Sequence, residues 1–162
     1  MTAGGPAAPG EIIHAGCVAR RQNGSWSAVL LTGRAGVGKS DLMLRLVERG
    51  WSLVADDRVR LWTADGALYG RAPETLAGLI EVRGIDVARL HRREMARIGL
   101  LVACLPPETA LERIPEPRTE TLSGVAVPRY ALHALEASAP AKVELALAQA
   151  GRRFDSSAHG TI

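Results

Sequence analysis

The sequence has 162 residues, 47% hydrophobic and 23% charged, with a net charge of +3. That length fits one domain with a packed core. The mixed-sign charge excludes a disordered chain, the short apolar runs exclude a membrane-spanning helix of about 20 residues, and so small a basic excess makes no electrostatic case for a nucleic-acid protein.

Met1–Gly10 is rich in Ala, Gly and Pro, lacks the features of a secretory signal, and reads as a flexible leader. The body runs over residues 11–150 as one unit without internal repeats, and Gly151–Ile162 reads as a loose polar tail. Ile12–Ala19 is a predicted strand, followed by a turn at Asn23-Gly24. Ser27–Thr32 is a nearly continuous apolar run, suited to a strand covered on both faces. Gly33–Gly38 is a glycine loop. Lys39–Arg49 reads as a helix with Leu42, Met43, Leu46 and Val47 on one face and Gly50 as its stop. Ser52–Ala55 is a short strand ending at Asp56-Asp57. Val59–Trp62 and Ala67–Tyr69 flank Asp65-Gly66 as a hairpin. Leu79–Val82 is an apolar stretch closed by Arg83-Gly84. Asp86–Arg97 is expected to be mostly helix, with Arg89, Arg92, Arg93 and Arg97 forming a basic face. Ile98–Leu105 is a strand, and prolines 106, 107, 115 and 117 bound an irregular region. Val125–Leu135 holds one or two strands, and Pro140–Ala150 is a closing helix. The expected class is α/β with parallel and antiparallel strands. Two cysteines, Cys17 and Cys104, are too few for a disulfide scaffold, so a cytoplasmic setting is expected.

The most informative segment is Gly33-Arg34-Ala35-Gly36-Val37-Gly38-Lys39-Ser40, which fits G-x-x-x-x-G-K-[ST] in full, between a strand and a helix. Backbone N–H groups converge on phosphate oxygens only where side chains are absent, hence the glycines. The helix start adds a positive dipole end. Lys39 can reach the β/γ-phosphates as a compact cation, and the Ser40 hydroxyl can ligate Mg²⁺. Lys39 is one of two lysines among twenty basic residues.

Asp56-Asp57 follows Lys39 by seventeen and eighteen residues. Alone, the pair is a common turn dipeptide. Beside a phosphate loop, one carboxylate can hold Mg²⁺ and the other can take the proton of an attacking hydroxyl. Glu81 and Arg83, two apart on an extended segment, share one side, as a metal-binding carboxylate and a phosphate-binding guanidinium would, but spacing alone favours a solvated surface ion pair. His14, His91, His133 and His159 have no local partner pattern, no Cys/His spacing suggests zinc, and no Gly-x-Ser-x-Gly elbow occurs. The arginine face, without interleaved aromatics, fits solvent or an acidic partner better than nucleic acid.

Ile13-His14, Gly33–Ser40, Arg49-Gly50 and Leu53–Asp57, with Leu79–Ile85 as a signature-like segment, occur in an order that resembles the catalytic domain of HPr kinase/phosphorylase. The resemblance covers about residues 12–150 and implies a short form lacking the N-terminal domain of the long members. It implies a P-loop kinase domain of the HPr kinase/PEP carboxykinase type, a mixed central sheet with flanking helices. It further implies an ATP- and Mg²⁺-dependent serine kinase acting on an HPr-like phosphocarrier of the phosphotransferase system, in a homo-oligomer of hexameric type, with no nucleic acid and no membrane insertion.

By position, Lys39 and the loop would bind phosphate, Ser40 and Glu81 would hold Mg²⁺ with Asp56 beside them, and Asp57 would take the serine proton. His14 would join the catalytic cluster, Arg83 belongs to the signature motif, and Arg113 matches a phosphate-stabilising arginine. Two departures stand out. Arg34-Ala35 replaces the usual Asp-Ser of the loop. The basic proline-glycine loop used for phosphorolysis aligns with His133–Ser138, which lacks its lysine and arginine, so weak or absent phosphorylase activity is expected. A P-loop kinase for a small molecule and a non-catalytic ATP-sensing module remain alternatives from the residues themselves.

Overall fold

The computed structural model describes residues 10–158 apart from positions 75, 76 and 91. The leader predicted over 1–10 therefore lies, but for Gly10, outside the described residues, as do His91 and His159. Along the chain come β1 (Glu11–His14), β2 (Gly16–Gln22), β3 (Ser25–Thr32), α1 (Lys39–Glu48), β4 (Ser52–Ala55), β5 (Arg58–Ala64), β6 (Ala67–Arg71), β7 (Leu79–Val82), β8 (Asp86–Arg89), β9 (Met95–Cys104), β10 (Arg118–Leu122), β11 (Val125–Leu132) and α2 (Ala139–Ala158).

The two-residue period of the strands sorts their side chains into two cores. In β3, Val29 and Leu31 face the layer holding Leu42, Met43, Leu46, Val143 and Leu147, while Ala28 and Leu30 face the layer holding Leu61, Leu68 and Ile98. β9 keeps this sorting through a bulge at Gly99, where the register with β3 shifts between Ala28↔Ile98 and Val29↔Leu100. A Cβ at Gly99 would stand 2.5 Å from Ser27 Oγ, so a larger residue there would require the Ser27 side chain to turn away.

The principal sheet runs β1-β5-β6-β9-β3-β2-β4, and the β10–β11 hairpin joins β9 through β11. β9 is parallel to both β3 and β11. β4 is antiparallel to β2, which is antiparallel to β3, so β4 also points the way β3 does. Four carboxyl ends thus open on one edge of the sheet. Both helices cover one face. The other face closes because the sheet curls, bringing β5 against β2 and β6 against β4. Among the described residues no helix is long and apolar enough to cross a membrane.

Three sequence expectations need correction. The strand predicted over Ile12–Ala19 is two strands broken at Ala15, whose N–H bonds to the Asp57 carbonyl at 3.1 Å. The helix predicted over Asp86–Arg97 is β8 and the start of β9, so its arginines form no helical face. Their spacing imitates a helical period, but the apolar positions do not: Ala96 and Ile98 are buried on either side of exposed Arg97, and Gly84, at φ 86°, turns the chain so that Val87 pairs with Glu81. Finally, α2 continues through Ala158, into the segment predicted as a loose tail.

Leu46 is fully buried where α1 meets the sheet. Leu46→Ala is expected to cost about 2–5 kcal/mol, read as a lower urea midpoint at unchanged denaturant slope.

Candidate functional site

The phosphate loop leaves β3 and turns at once against the end of β9. Gly33 has φ 143°, and a Cβ there would lie 2.4 Å from the Cys104 carbonyl oxygen. Val37 is buried beneath the loop and anchors it. Gly38, at φ 104°, is the N-cap of α1, so no side chain caps the first amides, which the loop leaves open to an anion. The Lys39 ammonium donates to the carbonyl of Gly33 and, at 3.0 Å, to that of Arg34.

β4 delivers the acidic pair to the same edge. Ser40 Oγ donates to Asp56 Oδ1 at 2.8 Å, and the Glu81 N–H donates to Asp56 Oδ2 at 3.2 Å. Burial pushes the Asp56 carboxyl above the ordinary carboxylate range; those two hydrogen bonds pull it down, and the charges of Asp57 and Glu81 push it up. Asp57 occupies the left-handed region at φ 69°, which aspartate tolerates better than most residues. Backbone strain of this kind concentrates at functional sites. It is held by the Ala15 bond to the Asp57 carbonyl and by the Arg58 N–H donating to the Asp56 carbonyl at 2.8 Å.

The β7–β8 hairpin closes the third side. Ile80 is buried against the helical core, so Glu81, with opposite alternation, faces outward toward the acidic pair. The result is a cleft of about 390 Å³ whose lining includes Gly36, Lys39, Ser40, Asp56, Asp57 and Glu81, and also Ala35, Gly38 and Arg83. Asp41, Leu44, Val82 and Leu135 line it as well. Sequence reasoning did not single these out, although Leu44 follows from the helical phase of Ser40, four residues earlier. His14 and Arg113 do not line the cleft; both are exposed, His14 one residue before Ala15 and Arg113 on the loop after β9. Arg34 turns to Glu108 at 3.1 Å.

The family model described as HPr Serine kinase C-terminal domain matches residues 11–143. The chain belongs to the HPr serine kinase C-terminal domain family. Within it, the chain is 44% identical over 112 residues to the HPr kinase/phosphorylase of Leptothrix cholodnii, covering 61% of this chain and 34% of that protein. It is 39% identical over 115 residues to the HPr kinase/phosphorylase of Limosilactobacillus reuteri, covering 64% and 36%. The chain thus spans about a third of the length of these relatives. The structure of the Hpr(Ser) kinase/phosphatase from Coxiella burnetii is similar at a TM-score of 0.75 and 25% identity, covering 90% of this chain and 99% of that one. The HPr kinase C-terminal fold accounts for the mixed sheet with both helices and the loop-bearing edge.

Both cysteines are buried, and burial pushes both thiols up, Cys104 to about 11 despite the nearby Lys39 charge. A disulfide-exchange reagent at pH 8 is expected to titrate neither in the native protein and both after denaturation.

Proposed function

We propose that this chain is a serine kinase that transfers the γ-phosphoryl group of ATP, with Mg²⁺, to a serine hydroxyl of an HPr-type phosphocarrier protein. One observation carries the reading: the Ser40–Asp56 hydrogen bond joins the phosphate loop to the acidic turn, so Asp57 and Lys39 share one cleft. The donor set suits magnesium. Ser40 Oγ and the Asp56 carboxylate are hard oxygens 2.8 Å apart, with Glu81 beside them. No larger cage of His, Cys, Asp or Glu converges among the described residues, and Mg²⁺ ordinarily takes one or two carboxylates and completes its shell with phosphate and water. Bound there, the ion would neutralise charge on the polyphosphate.

The loop amides and Lys39 hold the β- and γ-phosphates, and Arg83 adds positive charge from the hairpin. Asp57 accepts the serine proton as the serine oxygen bonds to the γ-phosphorus; the bond from that phosphorus to the β–γ bridging oxygen breaks and ADP leaves. Roles for His14, beside the Asp57 turn, and for Arg113 belong to the same proposal. Each predicts a loss of kcat on substitution by alanine, and an unchanged kcat would remove that residue from it. Hexameric assembly is likewise proposed, to be read from sedimentation.

Labelled ATP, Mg²⁺ and a purified HPr-type carrier provide the test. Label on a carrier serine supports the proposal. Label on small molecules only, or tight ATP binding without transfer, would overturn it in favour of a small-molecule kinase or a nucleotide sensor.

We further propose that the reverse phosphorolysis is weak. The segment His133–Ser138 contains no lysine or arginine and is tied down: Arg45 donates to the carbonyls of Ala134 and Glu136, and His133 Nε2 lies 2.8 Å from the Thr109 carbonyl. Serine-phosphorylated carrier with inorganic phosphate is expected to release no pyrophosphate above background; rapid release would contradict this.

A further inference from the structure

We infer that the protein carries a second anion site, suited to a small phosphate-bearing compound, at the end of the sheet opposite the cleft. Trp26 near the start of β3, Ser52 at the start of β4 and Met95 at the start of β9 meet Arg92, Arg93 and Glu94 around a pocket of about 300 Å³. The residues of the cleft lie at the other ends of these strands. At about 3.3 Å per residue, the seven steps from Trp26 to Gly33 along β3 span roughly 23 Å and the four from Ser52 to Asp56 along β4 roughly 13 Å. The site is therefore separate from the proposed phosphoryl-transfer machinery, and the inference does not depend on that reading.

The pocket has the composition of an oxyanion receptor. The Arg93 guanidinium lies over the Trp26 ring, 4.3 Å from its centroid. Stacking of this kind fixes the guanidinium plane and leaves its N–H edge free for a forked contact with phosphate or carboxylate. Arg93 Nε is buried beneath the stack without a hydrogen-bond acceptor, so a forked contact with an anion would fall to the Nη groups.

The backbone beneath is rigid. The Arg93 N–H donates to the Leu53 carbonyl at 2.8 Å, and Arg92 forms a bridge with the same residue. Arg92 is exposed at the pocket rim, and Ser52 is half-buried beside it. Two guanidiniums against the single carboxylate of Glu94 leave the pocket net positive. Among the described residues neither guanidinium is engaged in an ion pair, whereas Arg20, Arg34, Arg45, Arg49, Arg71 and Arg118 each have a carboxylate partner within 3.4 Å. The volume, at the low end for ligand pockets, suits a phosphate ion or a small phosphate monoester and not a whole nucleotide.

The probe is inorganic phosphate, titrated by calorimetry and by tryptophan fluorescence into the full chain carrying Lys39→Ala, which weakens the competing loop site. Glycerol 3-phosphate, titrated in parallel, distinguishes a site for the free ion from one for an ester; tighter binding of either is consistent with the inference. Arg92→Gln and Arg93→Gln are then each added to the Lys39→Ala background. Arg92, exposed at the rim, serves as the variant least able to disturb the fold. Binding that weakens at least tenfold in both variants supports the site. No binding of either probe in the Lys39→Ala background, or binding that Arg92→Gln leaves unchanged, overturns it.

Discussion

Asp57→Asn is expected to lower phosphoryl transfer about 10²–10⁴-fold, the ordinary worth of a positioned general base, while nucleotide affinity stays essentially unchanged. The split follows from geometry. In the proposed reading Lys39 and the loop amides would hold the polyphosphate, whereas Asp57 stands on the β4 edge of the cleft at φ 69°. Asparagine tolerates the same left-handed backbone and keeps the shape of the side chain, so the turn survives and only the proton acceptor is removed. Transfer kinetics with a phosphocarrier, alongside calorimetry with Mg-nucleotide, separate the two effects. Equal loss of transfer and binding would make Asp57 a structural residue.

Gly33→Ala is expected to cost roughly 2–4 kcal/mol of stability, from positive-φ strain and overpacking together, and to abolish nucleotide binding. The new methyl would sit 2.4 Å from the Cys104 carbonyl oxygen and 3.1 Å from Val37 Cγ2. The first neighbour is backbone of the central strand, so the loop must move away from β9. Such movement would misalign the amides that converge on phosphate. Gly36→Ala is the control: its φ is 85°, but nothing lies within 4 Å of the added Cβ, so stability should fall by no more than about 1–2 kcal/mol. Thermal unfolding with and without nucleotide distinguishes them, and equal behaviour would contradict a steric origin.

The loop, α1 and the acidic pair were legible in the sequence because each is fixed by local chemistry: glycines where N–H groups must converge, a 3.6-residue apolar period in Leu42, Met43 and Leu46, and carboxylates where an apolar strand stops. For Glu81 and Arg83 the spacing alone favoured a surface ion pair, and only the family resemblance pointed to the cleft that both residues line.

What escaped the sequence depends on tertiary pairing. Asp86–Arg97 reads as a helix because arginines recur every three or four positions, yet β8 exists only through pairing with β7. β10 has an exposed, polar strand sequence, Arg118–Leu122, whose extended form comes from its register with β11. The extension of α2 past Gly151 contradicts that residue's low helix propensity. The basic pocket was hidden for the same reason, since Trp26, Ser52 and Arg93 are distant in sequence and meet only when β3, β4 and β9 align.

The most direct measurement is a crystal structure of the protein with a non-hydrolysable ATP analogue and Mg²⁺. The account predicts the triphosphate wrapped by residues 33–40, the ion on Ser40 and Asp56, and the Asp57 carboxylate opposite the γ-phosphate on the open side of the cleft. A nucleotide bound elsewhere, or Asp57 turned away from the γ-phosphate with the analogue in place, would contradict it.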